Sequence, residues 1–460
     1  MRIRPRKMNN SRPSFLANLA AVFGGQAACA VLALAVEVCF ARLLGPAGRG
    51  QISLCIMAIA FGYLLGGLGG DIPIVAWTAD PRKNPSDWLA GVLLSGGLGS
   101  AVACCVWAVA YWRWHPAIFK GITPQLAHII LATIPLAILF GYLMAILSGL
   151  ERFRQRAGVA IANQFGELLA FVALVLLFGR KTEFALLANF AGLTAAAIIA
   201  VILLKRFIPR AVQMRSVTHN LASSLSFGLR GQLGNLATFF TYRLDVFVVN
   251  YFLNPAQVGL YALGVVVSES LWQIPQAAAT ALFPRTARTI DRGATEFTCA
   301  VIRQVFYIAC LTGLGIAALS PLLVPLIFGA QFTPSVPVIF WILPGTVALA
   351  VGKVMCADLA ARGKPEFSSI FAVVTLGITV ILDLYLIPRM GIQGAALASS
   401  IAYATNATLI AITLKQQLRV PWKSLFVPSY AEFALYGQLW SRCKSSLWPN
   451  PAAATTGPSD

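Results

Sequence analysis

Hydrophobic residues run along this chain in long unbroken blocks, with polar residues gathered into short bursts between them. Each block of twenty or more apolar residues is long enough to cross a hydrocarbon core of about 30 Å as a helix. In lipid only a helix or a closed barrel satisfies its own backbone, and the alternation a barrel needs is missing here. The pattern predicts an all-α integral membrane protein with about twelve transmembrane helices. They are expected over residues 15–44, 50–78, 88–112, 124–148, 157–178, 183–204, 223–252, 258–283, 298–328, 336–361, 367–388 and 393–414. Arg2, Arg4, Arg6 and Lys7 precede the first block as they would a leader, but the block runs on to Leu44. That is too long for a cleaved apolar region, so it reads as a span.

The blocks repeat. LGPAGRGQISL (44–54) aligns with LNPAQVGLYAL (253–263), placing Pro46, Ala47, Gly50 and Leu54 opposite Pro255, Ala256, Gly259 and Leu263. The same offset of 209 residues lays the sixth span on the twelfth. Either the chain is an internal duplication or these loops share a local chemistry. A duplication of six spans gives two six-helix bundles entering the membrane in the same sense, with a site between them. The expected division is a basic N-terminus (1–14), a first bundle (15–204), a connector (205–222), a second bundle (223–414) and a tail (415–460). Within the tail, 426–440 suits either an interfacial helix or a packed segment.

Composition agrees, with 58% apolar and 11% charged residues. The net charge of +19 invites a nucleic-acid partner, until the lysines and arginines are sorted by loop. With the N-terminus inside, 25 fall on the cytoplasmic side and 7 on the other, Arg42, Arg49 and Lys120 among the 7. That bias fixes both termini in the cytoplasm and makes the basicity a topology signal. The nine cysteines lie mostly within apolar blocks, with no CxxC or Cys/His cluster to suggest disulfides or zinc.

Ionisable side chains within spans are functional candidates, because each costs from about 2.5 to about 17 kcal/mol at the bilayer centre. In the seventh span Asn235, Thr238, Tyr242 and Asp245 share one helical face. Arg230 lies within about 60° of Asp245, and Arg243 points away, either snorkelling or facing another helix. Asp245 and Arg230 are expected to line a cavity in preference to forming a structural ion pair. In the eighth span Glu269, Gln273, Gln276 and Thr280 form a polar stripe beside Pro275, which kinks the helix. A wet lumen or a buried network joining helices explains the stripe. Lys353 lies in the tenth span, and with Arg230 and Arg243 it suits an anion such as pyrophosphate. Glu37, Glu167 and Glu269 are candidates for ion coupling through proton exchange. Asp383 is also within a span, while Asp71 and Asp358 sit near span ends, where either solvation or a functional role explains them.

No catalytic set, metal site or cofactor is expected. His115, His128 and His219 are scattered, and GTVALAVGK (345–353) has the wrong spacing for a nucleotide loop and lies inside a span.

Several segments in order carry a resemblance: FARLLGPAGRGQISL, YRLDVFVVNYFLNPAQVGLYAL, PQAAATALFPRTAR, PLLVPLIFGAQF, RGKPEF and RMGIQGAALASSIAYATN. Together they resemble the multidrug/oligosaccharidyl-lipid/polysaccharide exporter superfamily, and within it the Wzx-like polysaccharide flippases. The resemblance covers the chain to about Lys415 and matches recurrent positions at Asp245, Gly259, Tyr261, Pro284, Gly329, Gly363, Lys364, Gly391, Gly394 and Ala395. It implies a MATE-like fold and a bacterial inner-membrane carrier. The cargo it implies is a polyprenyl-pyrophosphate-linked oligosaccharide, moved to the periplasmic leaflet for O-antigen, capsule or exopolysaccharide synthesis. It further implies a monomer working beside polymerase machinery. A cation-coupled drug antiporter of the same superfamily is the rival reading, as is a lipid II flippase, although two further C-terminal spans of that branch are lacking.

Overall fold

The computed structural model describes residues 15–115, 117–205, 207, 217–273, 275–276, 278 and 292–427. The expected N-terminal segment 1–14, most of the connector and the tail beyond 427 lie outside the described residues. The regular structure is helical: α1 (Phe15–Gly67), α2 (Asp71–Ala79), α3 (Pro85–Trp114), α4 (Pro124–Gly149), α5 (Phe153–Phe178) and α6 (Thr182–Leu204). It continues with α7 (Val217–Phe252), α8 (Pro255–Glu269), α9 (Arg292–Phe328), α10 (Val336–Ala361), α11 (Glu366–Met390), α12 (Ile392–Leu418) and a short α13 (Trp422–Phe426).

Among the described residues nine helical segments are long and apolar enough to cross a membrane, the first being 44 residues long. A straight helix of that length extends about 65 Å, roughly twice the hydrocarbon thickness. It therefore bends, and the bend is at Gly45, with φ 70 and ψ −177, followed by Pro46. Glycine enters that left-handed region without a Cβ clash, and proline there needs no hydrogen bond to a preceding carbonyl. The two arms of α1 thus serve as the first and second spans, α2 completing the second after a break at Leu68–Gly70. With α7 and α8 added, the protein is a multi-pass membrane protein of about twelve crossings.

Helices α1–α6 pack chiefly among themselves, as do α7–α12. The halves meet at both ends of the bundle. At the end carrying the Gly45 bend, α1 crosses α8 where the repeated motifs lie. A Cβ on Gly50 would sit 1.7 Å from the Pro255 carbonyl oxygen, and one on Gly259 would sit 2.0 Å from that of Pro46. Glycine at both positions lets the two backbones touch. Around this crossing Arg42 Nε donates to the Ile327 carbonyl (2.7 Å), Asn250 to Ile118 (2.7 Å) and Lys120 to Tyr251 (2.7 Å). At the opposite end Gly69 abuts Gly228, and Gln232 donates to the Leu64 carbonyl.

Two charged residues depart from their expected settings. Arg49, expected in an outer loop, is 3% exposed within α1 and lies 2.6 Å from Glu37. The helix simply restarts at the bend, carrying Arg49 inward one turn later. Asp358 is fully buried at the end of α10, where it accepts from Thr298 (2.8 Å) and Arg362 (2.6 Å), so pairing and not solvation stabilises it.

Candidate functional site

The densest polar cluster lies inside the second half, where α7, α8, α10 and α12 converge. Arg243 of α7 extends its guanidinium fork to Glu269, with Nη1–Oε1 2.9 Å and Nη2–Oε2 2.7 Å. Both hydrogen bonds are charge-assisted and parallel, the strongest geometry this pair can adopt. Glu269 is the last residue of α8. A tight turn follows at Ser270–Trp272, and helical backbone resumes at Gln273. Pro275 accounts for the break, since it offers no N–H to the Leu271 carbonyl one turn back. The uninterrupted helix that aligned Glu269 with Gln273 and Gln276 is therefore interrupted here: Glu269 turns inward to Arg243, while Gln273 and Gln276 are exposed.

The same turn swings Trp272 against α10. The Lys353 ammonium stands 3.7 Å from the centre of the Trp272 ring and 5.4 Å from that of Tyr242. Among the described residues no carboxylate lies within ion-pair distance of this nitrogen, Glu269 being engaged by Arg243. A recess of about 60 Å³ adjoins it, lined by Thr238, Thr241, Tyr242, Cys356 and Asn406.

Asp245 behaves differently from a cavity residue. Its side chain is 1% exposed, and it accepts hydrogen bonds from the hydroxyls of Tyr261 and Ser399 and from the backbone N–H of Val246. Asp245 thus lies in packed interior joining α7, α8 and α12, a correction to its expected place on the cavity wall. Its helical position was read rightly; a single helix gives no view of the hydroxyls that neighbouring helices aim at it. Asp383 of α11 is also fully buried within electrostatic reach of Asp245, and its carboxylate oxygens have no hydrogen-bond partner among the described residues. Asn235, three residues before Thr238, is exposed. The side chain of Arg230, Thr280 and Pro284 lie outside the described residues.

A family model described as polysaccharide biosynthesis protein matches residues 39–337, which include the α1 bend, the α1–α8 crossing and the Arg243–Glu269 pair. The chain belongs to that family. A curated relative, the probable low-salt glycan biosynthesis flippase Agl15 of Haloferax volcanii, is 23% identical over 194 residues. That match spans 41% of this chain and 41% of the relative, less than half of either. Among solved structures, lipid II flippase MurJ in an inward closed conformation superposes with a TM-score of 0.71 at 15% identity, covering 89% of each chain. The eukaryotic MATE transporter AtDTX14 gives 0.63 at 13% identity, covering 89% of this chain and 98% of that one. At such identities these likenesses establish the fold alone, which is the MurJ- and MATE-like fold.

In this family member the first half holds a second, separate polar cluster. Glu37 of α1 pairs with Arg49, which also bonds Ser53, and Glu167 of α5 accepts from Asn189 of α6 (3.2 Å). Glu269 stands apart from both, in the other half. The sequence singled out Arg243, Glu269, Tyr242 and Lys353, and the fold brings those four together. Trp272, Tyr403 and Ser399 were not singled out by sequence, and Arg49 was placed in a loop. Trp272 alone carried a signal, standing three residues after Glu269 on the same face.

Proposed function

We propose that this transporter turns a polyprenyl-pyrophosphate-linked oligosaccharide from the cytoplasmic to the periplasmic leaflet of a bacterial inner membrane, for surface polysaccharide assembly. The observation that carries the proposal is the Lys353 ammonium, held against Trp272 with no ion-pair partner among the described residues while Glu269 is taken by Arg243. An ammonium without an ion-pair partner inside the membrane favours an anionic group, and an Arg fork fits phosphate oxygens as well as it fits a carboxylate. Arg243 exchanges Glu269 for the pyrophosphate, Lys353 adds a point charge, and Arg230 is a further cation on α7. The bodies 15–204 and 223–414, related by an axis along the membrane normal, rock against each other to alternate access. The Gly45 bend faces the periplasm and both termini face the cytoplasm, in keeping with the lysine and arginine bias of the loops. Glu37, Glu167 and Glu269 are the candidates for proton coupling.

The test uses proteoliposomes carrying the protein and a fluorescent lipid-linked oligosaccharide in one leaflet, with movement read by quenching from outside. Expected is flipping above protein-free vesicles, reduced at least fivefold by Lys353→Gln. Flipping at the protein-free rate, together with export of an organic cation by the same vesicles, removes the proposal in favour of a drug antiporter.

A further inference from the structure

Proteins that recognise an ammonium ion do so with aromatic faces, commonly supported by a nearby carboxylate. The second half of this chain assembles those parts. Tyr242 and Trp272 have ring centres 5.4 Å apart, and Tyr403 packs 5.4 Å from the first and 5.9 Å from the second. Three rings from α7, the turn after α8, and α12 therefore pack together, and the corner made by two of them, Tyr242 and Trp272, faces the Lys353 ammonium. Glu269 lies three residues before Trp272, with both carboxylate oxygens held by Arg243. The corner is not vacant: the ammonium of Lys353 stands in it, 3.7 Å from the Trp272 ring centre.

An apolar side chain would fill that corner with no desolvation penalty, so packing does not explain a lysine there. An ammonium is strongly hydrated, and half-burying one, as here, without a directly bonded carboxylate is unfavourable unless something replaces the lost water. The rings do so. We propose that this corner is an organic-cation site which the chain occupies with its own ammonium, and that Lys353 thereby sets the charge selectivity of the carrier. With Lys353 in place, alkylammonium ligands are excluded and the cluster keeps its positive surplus. Without it, the corner binds a primary or quaternary alkylammonium, and the adjoining recess of about 60 Å³ has room for its methyl groups. This goes beyond the flippase reading and holds for any anionic cargo.

The experiment needs no glycan, so it fails or succeeds independently of that reading. Full-length wild type and Lys353→Ala are reconstituted in nanodiscs and titrated with n-propylammonium, which replaces the atoms the substitution removes, and then with tetramethylammonium. Binding is followed by calorimetry. Expected is an affinity for Lys353→Ala at least tenfold above wild type, abolished in the Lys353→Ala/Trp272→Leu double variant. Lys353→Arg, which refills the corner, should behave as wild type. Equal affinities in wild type and Lys353→Ala overturn the proposal, as does binding that survives loss of Trp272. If Lys353→Ala does not purify as a monodisperse protein, Lys353→Val empties the same corner and undergoes the same titrations.

Discussion

Arg243 and Glu269 illustrate how much a residue's role depends on a partner that its own helix does not reveal. Removing one member of this partly buried ion pair leaves the other charged and unpaired, at a cost below the roughly 3 kcal/mol of a fully buried pair, whereas removing both is far milder. Arg243→Gln and Glu269→Gln should therefore each lower the melting temperature in detergent, and the double variant should recover most of the loss. Additive losses would mean that the two do not depend on each other. Sequence made both residues conspicuous, because charge inside an apolar block stands out wherever it occurs. It did not show that they meet, since they lie 26 residues apart on different helices. The same limit explains Asp245, whose position on α7 was legible while Tyr261 and Ser399 around it were not. It explains Arg49 too: loop and helix were assigned by apolar run alone, and the arginine paired with Glu37 looked like the end of a run.

At the level of elements, the spans were legible because lipid imposes a length and a composition on each crossing. What departed from the reading was continuity. Spans one and two are one helix by backbone geometry, bent at Gly45, and the eighth changes course after Glu269. The repeated motif has a structural consequence that alignment did not convey: its two copies cross each other. Gly50 and Gly259 let α1 and α8 touch at backbone distance, so even one methyl group must push the helices apart. Overpacking of this kind costs about 1–3 kcal/mol in a tight interface, and here it falls on the contact between halves. Gly50→Ala and Gly259→Ala should each loosen closure at that end while leaving both halves folded. A single cysteine at Gln51, in a background free of the native cysteines, should react with a membrane-impermeant maleimide several times faster in either variant. An unchanged rate would show that the crossing does not hold that end shut.

At the scale of the whole molecule, the question is what drives net movement. Lys353 and Arg243 belong to the protein, so whatever charge they move on the outward stroke they move back on return, and over a full cycle their contribution cancels. The charge of the cargo does not return. A negatively charged head group leaving an electrically negative interior moves downhill by about 2.3 kcal/mol per charge per 100 mV, which corresponds to about a fiftyfold bias in distribution. A proton taken up with the cargo, at Glu269 or at the Glu37 and Glu167 cluster, would cancel one such charge and convert voltage dependence into pH dependence. The proposed flippase should thus run faster in proteoliposomes when the loading side is made negative, and slower when the potential is reversed. Lys353→Gln should raise the substrate concentration needed without changing the final distribution reached at a given potential, because the lysine's own charge cancels over the cycle. Rates indifferent to both potential and pH gradient would leave consumption of the product as the remaining drive. The cluster would then serve to hold the cargo, with no part in coupling its movement to an ion.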